Sequence, residues 1–250
     1  MKPAPFQYHA PRTLEEAVSL LAGLEDAKVL AGGQSLIPLL NFRLARPQHL
    51  VDINPLRGLD RIYERDGGVA VQALVRQADA HASDLLRRVC PLVPEALAHV
   101  AHHVIRNRGT LVGSIAHADP AAEMPAVLLV VHGHVVARGP QGERRIGAEE
   151  FFLGVLESAL QPDEVAVEAW FPAHRGPHGL REESRRHGDY AMAGAVRAGD
   201  RLALFGVAPT PVLADPAHPD RDLQPSGDLE ASPEFRKHLV RVLTDDLFAA

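Results

Sequence analysis

The first periodic segment of the chain places its apolar residues at helical spacing. These positions share one face: Leu14, Ala17, Val18 and Leu21. Thr13 and Glu16 precede and overlap this face at the spacing of a capping box, in which each residue satisfies a free backbone N–H at the start of a helix. The pattern therefore predicts a helix over residues 14–22.

A short βαβ pattern follows the helix. Residues 28–30 are predominantly apolar and stop at Gly32-Gly33, which predicts a buried strand that ends in a tight turn. Ser35 stands where it can cap a short helix, and Pro38 is tolerated in the first turn of that helix. Residues 50–53 predict the next strand. About the first 55 residues are thus expected to form a small unit with the glycine turn at its exposed edge.

The middle of the chain alternates strand-like and helical patterns. The predicted elements are a hairpin over residues 62–71, helices over 77–89 and 93–103, a loop over 106–114, a hairpin that turns at 139–142, and a strand over 165–171. Polar residues and glycines occupy 106–114 between two apolar stretches, which favours a long loop there.

The last third begins with residues 172–179, which are rich in Pro, Gly and His and are typical of an interdomain linker. Residues 190–196 and 201–207 flank Gly199-Asp200 and predict another hairpin. A terminal helix is predicted from Pro233, with an apolar face formed by Phe235, Leu239, Val242 and Leu243. The class is therefore α+β, in three pieces.

Composition excludes several kinds of protein. The 250 residues have a formal net charge of −6 and a sequence pI near 6.1, which argues against a nucleic-acid-binding protein. The single cysteine, Cys90, cannot form an intramolecular disulfide or a Cys-ligated iron–sulfur cluster, so redox chemistry would need a borrowed cofactor. The first residues lack the apolar core of a signal peptide, and the longest apolar run, 124–131, is too short to span a bilayer. We expect a cytoplasmic protein without a transmembrane segment.

Two loops have the composition of a phosphate cradle. Residues 31–35 and 109–114 are rich in glycine and small hydroxyl residues, which allow consecutive backbone N–H groups to point at a phosphate. Neither loop matches the Gly-x-Gly-x-x-Gly or Walker pattern. Taken singly, the Gly32-Gly33 turn is better explained as an ordinary tight turn.

The two loops together resemble a known pair of signatures. Residues 29–38 and 106–120 are similar to the two FAD-binding signatures of the flavoprotein (medium) subunit of molybdenum hydroxylases, the group of carbon monoxide dehydrogenase, xanthine dehydrogenase and aldehyde oxidase. The resemblance continues in the same order through shorter segments: 50–53, 162–164, 184–191 and 206–211. It covers nearly the whole chain.

This resemblance implies a fold. It predicts a two-part FAD-binding domain of the vanillyl-alcohol-oxidase (PCMH) type, in which a small βαβ N-terminal unit and a larger α/β middle unit hold FAD between them. A C-terminal domain of three antiparallel strands with a helical bundle would cover the cofactor. The expected boundaries are 1–55 and 56–173 for the two FAD-binding subdomains and 174–250 for the C-terminal domain.

The resemblance also implies cofactor contacts and no catalytic side chain or metal ligand. Loops 31–35 and 110–114 would hold the FAD pyrophosphate, and Glu123, or Asp119 in the same region, would bond ribose or ribityl hydroxyls. Tyr190 would cover the isoalloxazine ring, and Val100 and Ala166 would touch its edge or the adenine. As alternatives, Asp119 is a helix cap, and Tyr190, Val100 and Ala166 are core residues. The full set is Leu30, Ala31, Gly32, Gly33, Gln34, Ser35, Leu36, Val100, Gly109, Thr110, Val112, Gly113, Ser114, Asp119, Glu123, Ala166 and Tyr190.

The chain departs from the family pattern at two places. Val112 precedes Gly113 where the family has adjacent glycines, so we expect a side chain where the backbone should approach FAD closely. A lysine often precedes the Ser-Arg-Arg segment in the family, whereas Arg181-Glu182-Glu183 stands here. Arg181 is the candidate for the missing charge, and acids beside the flavin N1 edge would disfavour an anionic reduced form.

The function implied is that of an FAD-binding electron-transfer subunit. Its expected partners are a large molybdopterin-binding subunit and a small [2Fe–2S] subunit, in a dimer of heterotrimers, with electrons passing from the clusters through FAD to an external acceptor. Alternatives are a flavin-free docking or assembly subunit and a stand-alone FAD-dependent reductase. His99 and His103, four residues apart, leave a zinc site as a further alternative.

Overall fold

The computed structural model describes residues 1–249, and the first fifth of the chain forms a parallel sheet with two helices. Its elements are β1 (Gln7–His9), α1 (Leu14–Gly23), β2 (Ala27–Leu30), α2 (Leu36–Asn41) and β3 (His49–Asp52). The strand order is β1-β3-β2, and both pairs are parallel. The predicted βαβ unit is confirmed, and β1 adds a short strand that its exposed residues did not signal.

The capping box begins α1 as predicted. The Glu16 N–H donates to the Thr13 hydroxyl at 3.1 Å, and the Glu16 carboxylate accepts from the Arg12 N–H at 2.8 Å. β2 and β3 then end side by side, because Val29 pairs with Val51 and Leu30 with Asp52. The glycine turn after β2 and the carboxylate of Asp52 are thereby brought to one edge of the sheet.

The middle of the chain builds an antiparallel sheet of five strands in the order β4-β5-β10-β6-β7, with helices packed against it. The strands and helices are β4 (Ile62–Arg65), β5 (Gly68–Gln72), α3 (Gln77–Ala82), α4 (Asp84–Val89), α5 (Leu92–His99), α6 (His103–Arg106), α7 (Leu111–His117), α8 (Glu123–Val130), β6 (His134–Gly139), β7 (Gly142–Gly147), α9 (Ala148–Phe151), β8 (Phe152–Gly154), β9 (Glu157–Ser158) and β10 (Val165–Pro172). β8 and β9 form a separate small hairpin.

Three predictions for this region were wrong in detail. The helix expected over 77–89 is interrupted at Ser83, whose hydroxyl accepts from the Leu86 N–H at 3.3 Å and caps a new helix. The helix expected over 93–103 ends at His99, because Ala101 adopts a positive φ of 43°. The loop expected over 106–114 contains the first turn of α7, which begins when Thr110 accepts from the Gly113 N–H at 3.0 Å.

The five-stranded sheet is covered on both faces. One core cluster joins the apolar residues of α4, α5, α7 and α8 to the sheet and reaches into the C-terminal strands. The second joins α1 and β3 to the other side of the sheet, through residues such as Val136 and Val167. The N-terminal unit is therefore held against the middle unit by a shared apolar core rather than by a flexible tether.

The C-terminal region is an antiparallel sheet of four strands in the order β11-β12-β13-β14, with one long helix on it. Its elements are β11 (His178–Ser184), β12 (Ala191–Ala198), β13 (Arg201–Phe205), β14 (Val212–Ala214) and α10 (Pro233–Ala249). The prediction of three strands and a helical bundle is corrected to four strands and, within residues 1–249, a single helix. Pro216, Pro219 and Pro225 prevent a helix between β14 and α10.

The buried face of α10 also differs from the prediction. Phe235 and Val242 are exposed, whereas Arg236, Val240 and Leu247 are buried. Burial of the Arg236 guanidinium is offset by its hydrogen bonds, which it donates to the carbonyls of Met192 and Gly206 and to the Asp228 carboxylate. Across residues 1–249 we find no helix with both the length and the apolar character needed to cross a membrane.

Candidate functional site

The two glycine loops meet in space. A Cβ added at Gly32 would lie 2.5 Å from the Arg108 carbonyl oxygen and 2.7 Å from the Gly109 Cα, so the backbones touch where no side chain fits. Gly33 adopts a φ of +74°, which only glycine takes readily. The loop after β2 and the loop before α7 therefore form one surface, as the cradle prediction required.

Hydrogen bonds from two further residues fix this contact. The Arg76 guanidinium donates to the Arg108 carbonyl and to the Asn54 side-chain oxygen, both at 2.7 Å. The Asn54 amide nitrogen in turn donates to the Ala31 carbonyl at 2.8 Å. Arg76 and Asn54 thus tie both loops together through their carbonyls, which leaves the opposite edge of each loop to face a ligand. Sequence reasoning missed both residues.

The first turn of α7 presents a free backbone donor. The Leu111 N–H donates to the Val75 carbonyl at 3.2 Å, and the Gly113 N–H is used by Thr110. Among the residues described, this leaves the Val112 N–H without an acceptor at the start of the helix. The Val112 side chain points into the core and is only 1% exposed, so the expected obstruction by this residue was wrong.

Gly113 is required for the cap itself. A Cβ there would stand 2.5 Å from the Thr110 hydroxyl oxygen, which is the acceptor of the capping hydrogen bond. Gly109 is buried, with its carbonyl accepting from the Gln77 N–H at 2.9 Å. Ser114, on the second turn of α7, is half-buried. Gly113 and Gly109 therefore hold the shape of the second loop.

A pocket of about 370 Å³ opens beside the first loop. Its walls combine apolar and polar side chains: Leu30, Ala31, Gly32, Gly33, Gln34, Ile37, Pro38, Asn41, Asp52, Asn54, Ile105 and Arg108. Its volume lies within the range of small-molecule sites. Asp52 is oriented by the Tyr8 hydroxyl, which donates to it at 2.5 Å. Of the predicted contacts, Leu30 to Gln34 line this pocket, while Ser35 and Leu36 follow it at the start of α2.

A second group of predicted residues converges on Tyr190. The Tyr190 hydroxyl lies near Asp119 and Ser35, and the residue is 57% exposed. Burial around the hydroxyl, followed by the charges of Asp119 and Glu123, raises the pKa of Tyr190 to about 12. Tyr190 is therefore not a core residue, and its exposed ring is free to face a ligand.

Glu123 is the buried acid of this group. It is 8% exposed at the start of α8, and burial, with the nearby charge of Glu182, raises its pKa to about 8. Asp119 is not the helix cap given as its alternative, because the N-cap residue of α8 is Ala122. Its carboxylate instead accepts from the Ala121 N–H at 2.9 Å within the preceding loop. The expected cap by Ser35 was wrong: this residue occupies the N-cap position, but its hydroxyl accepts no capping hydrogen bond.

Two predicted contacts lie in the core. Val100 is 7% exposed and Ala166 is 9% exposed, and both belong to the cluster that includes Leu111 and Ile115 of α7. Neither lines the pocket. His99, one half of the possible zinc pair, contacts Glu182 at 3.4 Å. Residues 1–249 contain no group of three or more potential ligands placed to hold a metal ion.

Comparison with protein families places most of the chain in one of them. Residues 4–174 match the family described as FAD binding domain in molybdopterin dehydrogenase. The matched range contains both glycine loops, Asn54, Arg76 and Glu123, and it ends before Tyr190 and the C-terminal sheet.

Individual relatives agree with this match. The chain is 48% identical over 201 residues to 6-hydroxypseudooxynicotine dehydrogenase complex subunit alpha of Paenarthrobacter nicotinovorans. This alignment covers 78% of this chain and 67% of that protein. It is 40% identical over 222 residues to the carbon monoxide dehydrogenase medium chain of Hydrogenophaga pseudoflava, covering 84% and 77%.

Solved structures extend the likeness to the whole fold. A chain of carbon monoxide dehydrogenase from Hydrogenophaga pseudoflava superposes with a TM-score of 0.94 at 34% identity, over 100% of this chain and 98% of that one. A chain of quinoline 2-oxidoreductase from Pseudomonas putida 86 gives 0.93 at 32% identity, over 100% and 97%.

Proposed function

The chain belongs to the family of FAD-binding subunits of molybdenum hydroxylase-type dehydrogenases, and from this premise we propose that it passes electrons from the [2Fe–2S] clusters of a partner subunit through FAD to an external acceptor. The family assignment makes it an FAD-binding oxidoreductase subunit. The electron route and the individual cofactor contacts are the proposal.

The residues present fit FAD. The single observation that carries the proposal is the contact at Gly32, where a Cβ would meet the backbone of residues 108–110. Two glycine-containing loops in such contact present main-chain N–H groups to one place, and these donors hold phosphate oxygens without side-chain interference. Arg108 lies in the pocket wall and adds a positive charge for the pyrophosphate.

Each end of the proposed site suits a different part of the cofactor. Residues 31–35 and 109–114, including the Val112 N–H, would hold the pyrophosphate. Glu123 and Asp119 would accept hydrogen bonds from ribose or ribityl hydroxyls, and the exposed ring of Tyr190 would cover the isoalloxazine. When bound, FAD supplies the redox chemistry by taking up and releasing electrons. The chain's own residues bind it, orient it and limit the access of water.

The relatives' names and the cysteine count support the proposed partner subunits. Those names describe a medium chain and a subunit of a dehydrogenase complex. With Cys90 as its only cysteine, which is buried, this chain cannot ligate a cluster of its own. We therefore propose a large molybdopterin-binding partner and a small [2Fe–2S] partner in a dimer of heterotrimers. Substrate choice would belong to the large subunit.

We also propose functional boundaries near residues 55 and 173. The first unit would supply the loop after β2, and the middle unit would supply α7 and α8. The C-terminal sheet would supply Tyr190, which directly precedes β12. The loop after β2, helices α7 and α8, and Tyr190 would then come from three different units. The site would therefore be complete only in the folded chain.

The test is the absorption spectrum of the purified chain near the flavin maximum, before and after adding FAD and removing excess by gel filtration. We expect a yellow protein with one FAD per chain. Gly33→Asp combined with Ser114→Asp places two negative charges at the loops and should abolish the spectrum. A parent chain that folds but stays colourless would favour the flavin-free docking subunit instead. Turnover by the isolated chain would favour the stand-alone reductase.

A further inference from the structure

A loop of the C-terminal sheet packs onto the middle unit at the start of α6. This loop, residues 184–190, joins β11 to β12, and the ring centroids of His187 and His102 lie 5.9 Å apart. Gly188 adopts a φ of +89°, and a Cβ added to it would lie 2.6 Å from the His102 ring. The loop and the segment around α6 therefore form one continuous surface, although they are far apart in the sequence.

The charges of this surface are mostly positive. Residues 102–108 and 184–190 contain four arginines, three histidines and one acid, Asp189, which gives a net charge of +3 with the histidines neutral, in a chain of net charge −6. Among residues 1–249, no carboxylate forms an ion pair with Arg108, Arg185 or Arg186. We call the exposed members of this surface the basic patch: His102, His103, Arg108, Arg185, Arg186 and His187.

The acids near Tyr190 do not neutralise the basic patch. Glu123 is 8% exposed, and the side chain of Glu182 is 10% exposed and pairs with a histidine of α5. The exposed acids in this neighbourhood are Glu183 and Asp189, which the arginines outnumber. A molecule that approaches from solvent therefore meets a predominantly positive surface.

The basic patch borders the proposed FAD site. Arg108 lines the pocket beside the first glycine loop, and Tyr190, which would cover the isoalloxazine ring, ends the loop that carries Arg185 and Arg186. The large apolar or aromatic side chains exposed within the two segments are Val104 and Tyr190. A charged surface with so little apolar area suits a weak, transient encounter, because stable interfaces have an apolar centre that is depleted of charge.

More strongly apolar surfaces are exposed elsewhere on the chain. Phe42 and Leu44 are 66% and 76% exposed in the connection after α2, and Leu153 and Val155 are both 59% exposed at the β8–β9 hairpin. These places suit a permanently bound subunit better than the basic patch does. The basic patch is suited instead to a partner that binds and leaves, for which complementary charge raises the rate of association.

We propose that the basic patch is the docking surface for the external electron acceptor, and that this acceptor is a one-electron carrier protein with an acidic surface. The inference rests on the proposed function, because FAD must be the electron donor. A fully reduced FAD holds two electrons, so two carriers are reduced for each flavin reoxidised, and the protons of the reduced flavin pass to solvent. The association should be fast at low ionic strength and slower in salt, because salt screens exposed charges.

The first experiment uses the chain without FAD and two probes of opposite charge. One is cytochrome c, a basic haem protein, and the other is the same protein with succinylated lysines, which is acidic; both are kept ferrous and therefore diamagnetic. At low ionic strength we expect the acidic probe to shift the amide NMR signals of residues 102–108 and 184–190 in the ¹⁵N-labelled chain. High salt should remove these shifts.

Charge-reversal variants locate the binding surface. Arg186→Glu should weaken the shifts, and Arg185→Glu combined with Arg186→Glu should remove them. Arg175→Glu is the matched control, because it changes the net charge as Arg186→Glu does but lies beyond the other end of β11, about 20 Å away, and should keep the shifts. The proposal is overturned if the basic probe shifts the same signals equally, if the acidic probe shifts signals elsewhere, or if Arg175→Glu and Arg186→Glu behave alike.

The second experiment measures electron transfer from the chain loaded with FAD and reduced without oxygen. Mixed with the ferric probes in a stopped-flow instrument at low ionic strength, it should reduce the acidic probe faster than the basic one. Arg185→Glu combined with Arg186→Glu should slow reduction of the acidic probe by about 10- to 100-fold and speed that of the basic probe. Rates that do not depend on probe charge overturn the link between the basic patch and the acceptor. If the parent binds no FAD, the proposed function fails, while the NMR titration still decides whether the basic patch binds an acidic protein.

The third experiment asks whether a permanent subunit covers the basic patch. Cys90 is buried, so Arg186→Cys gives the chain one accessible thiol. In the complex purified with its partner subunits, maleimide labelling at position 186, read by mass spectrometry of this chain, should be as rapid as in the free chain. Protection in the complex would mean that a subunit occupies the basic patch, and would overturn its assignment to an external acceptor.

Discussion

Gly32→Ala tests the contact on which the whole cofactor site depends. The added methyl would lie 2.5 Å from the Arg108 carbonyl oxygen, 2.7 Å from the Gly109 Cα and 3.0 Å from the Thr110 nitrogen. All three atoms belong to the backbone, so no side-chain rotation can relieve the overlap. The two loops must move apart, and the Arg76 hydrogen bond to the Arg108 carbonyl resists this movement.

The expected magnitude follows from what the movement breaks. Overpacking of this kind costs about 1–3 kcal/mol of folding free energy. If the separation removes two main-chain hydrogen bonds to the charged pyrophosphate, at about 1.5–3 kcal/mol each, FAD binding weakens by about 10² to 10⁴-fold. The larger effect should therefore appear in cofactor affinity, with a modest loss in the stability of the chain without FAD.

The assay compares the dissociation constant of FAD, from fluorescence titration, with the urea midpoint of each variant. Gly23→Ala is the matched control, since Gly23 ends α1 with no heavy atom within 4 Å of its added Cβ and is expected to bind FAD as the parent does. A Gly32→Ala chain with unaltered FAD affinity would show that the loop contact does not form the pyrophosphate site, and would refute the assignment.

Three further predictions address separate parts of the site. Arg76→Met should lower the free energy of unfolding by about 2–3 kcal/mol in urea titrations, because it leaves the Arg108 carbonyl and the Asn54 side-chain oxygen without their donor. It should also weaken FAD binding. Equal stability in parent and variant would contradict this prediction. Tyr190→Ala should weaken FAD binding by about five- to tenfold through loss of ring stacking, whereas Tyr190→Phe should not, and an equal loss in both would assign the effect to the hydroxyl. Glu123→Gln should remove a pH dependence of stability. The rise of the Glu123 pKa from 4.5 to about 8 means that the parent has its extra stability below pH 4.5 and loses it as pH rises to about 8, by at most about 5 kcal/mol. Urea unfolding at several pH values should show that slope in the parent and a smaller one in the variant, and parallel curves would contradict the assignment.

Local signals in the sequence predicted most of the elements correctly. The Thr13 and Glu16 pair marks the start of α1, and Asp66 and Gly67, both with positive φ, form the turn between β4 and β5. These features are specified by residues within a few positions of each other. The same holds for the turn at Gly199, which joins β12 to β13.

The errors occurred where a hydroxyl side chain competes with an apolar repeat. Ser83 interrupts an apolar pattern that is otherwise continuous and begins a new helix, and Thr110 starts α7 inside a stretch whose glycines indicated a loop. Whether such a residue caps a helix depends on where the chain must turn to pack, which periodicity alone does not contain. Arg236 shows the same limit in α10, because its burial is offset by carbonyls that lie 30 and 44 residues away.

Some residues of the candidate site could be found from local sequence, and others depend on tertiary packing. The glycine loops could be found because their composition and their resemblance to family signatures are local properties. Arg76 and Asn54 could not, because their hydrogen bonds span 22 to 32 residues and depend on how the first sheet packs against the second. Val112 could not be interpreted either, since only the placement of α7 decides that its side chain enters the core.

The charges around the site differ between its two ends, which bears on where the pyrophosphate of the proposed cofactor lies. Backbone donors and Arg108 gather at the glycine loops, which suits the two negative charges of a pyrophosphate, while Asp119, Glu123 and Glu182 gather near Tyr190. A phosphate beside Asp119, Glu123 and Glu182 would meet acidic side chains, so the charges favour a pyrophosphate at the glycine loops. Ser35, only three residues beyond Gly32, lies near Tyr190, so a single short loop runs from the glycine turn toward the acidic end. Charge as well as shape would therefore set the position of the pyrophosphate, with one hydroxyl-bearing and ring portion of FAD directed toward Glu123 and Tyr190.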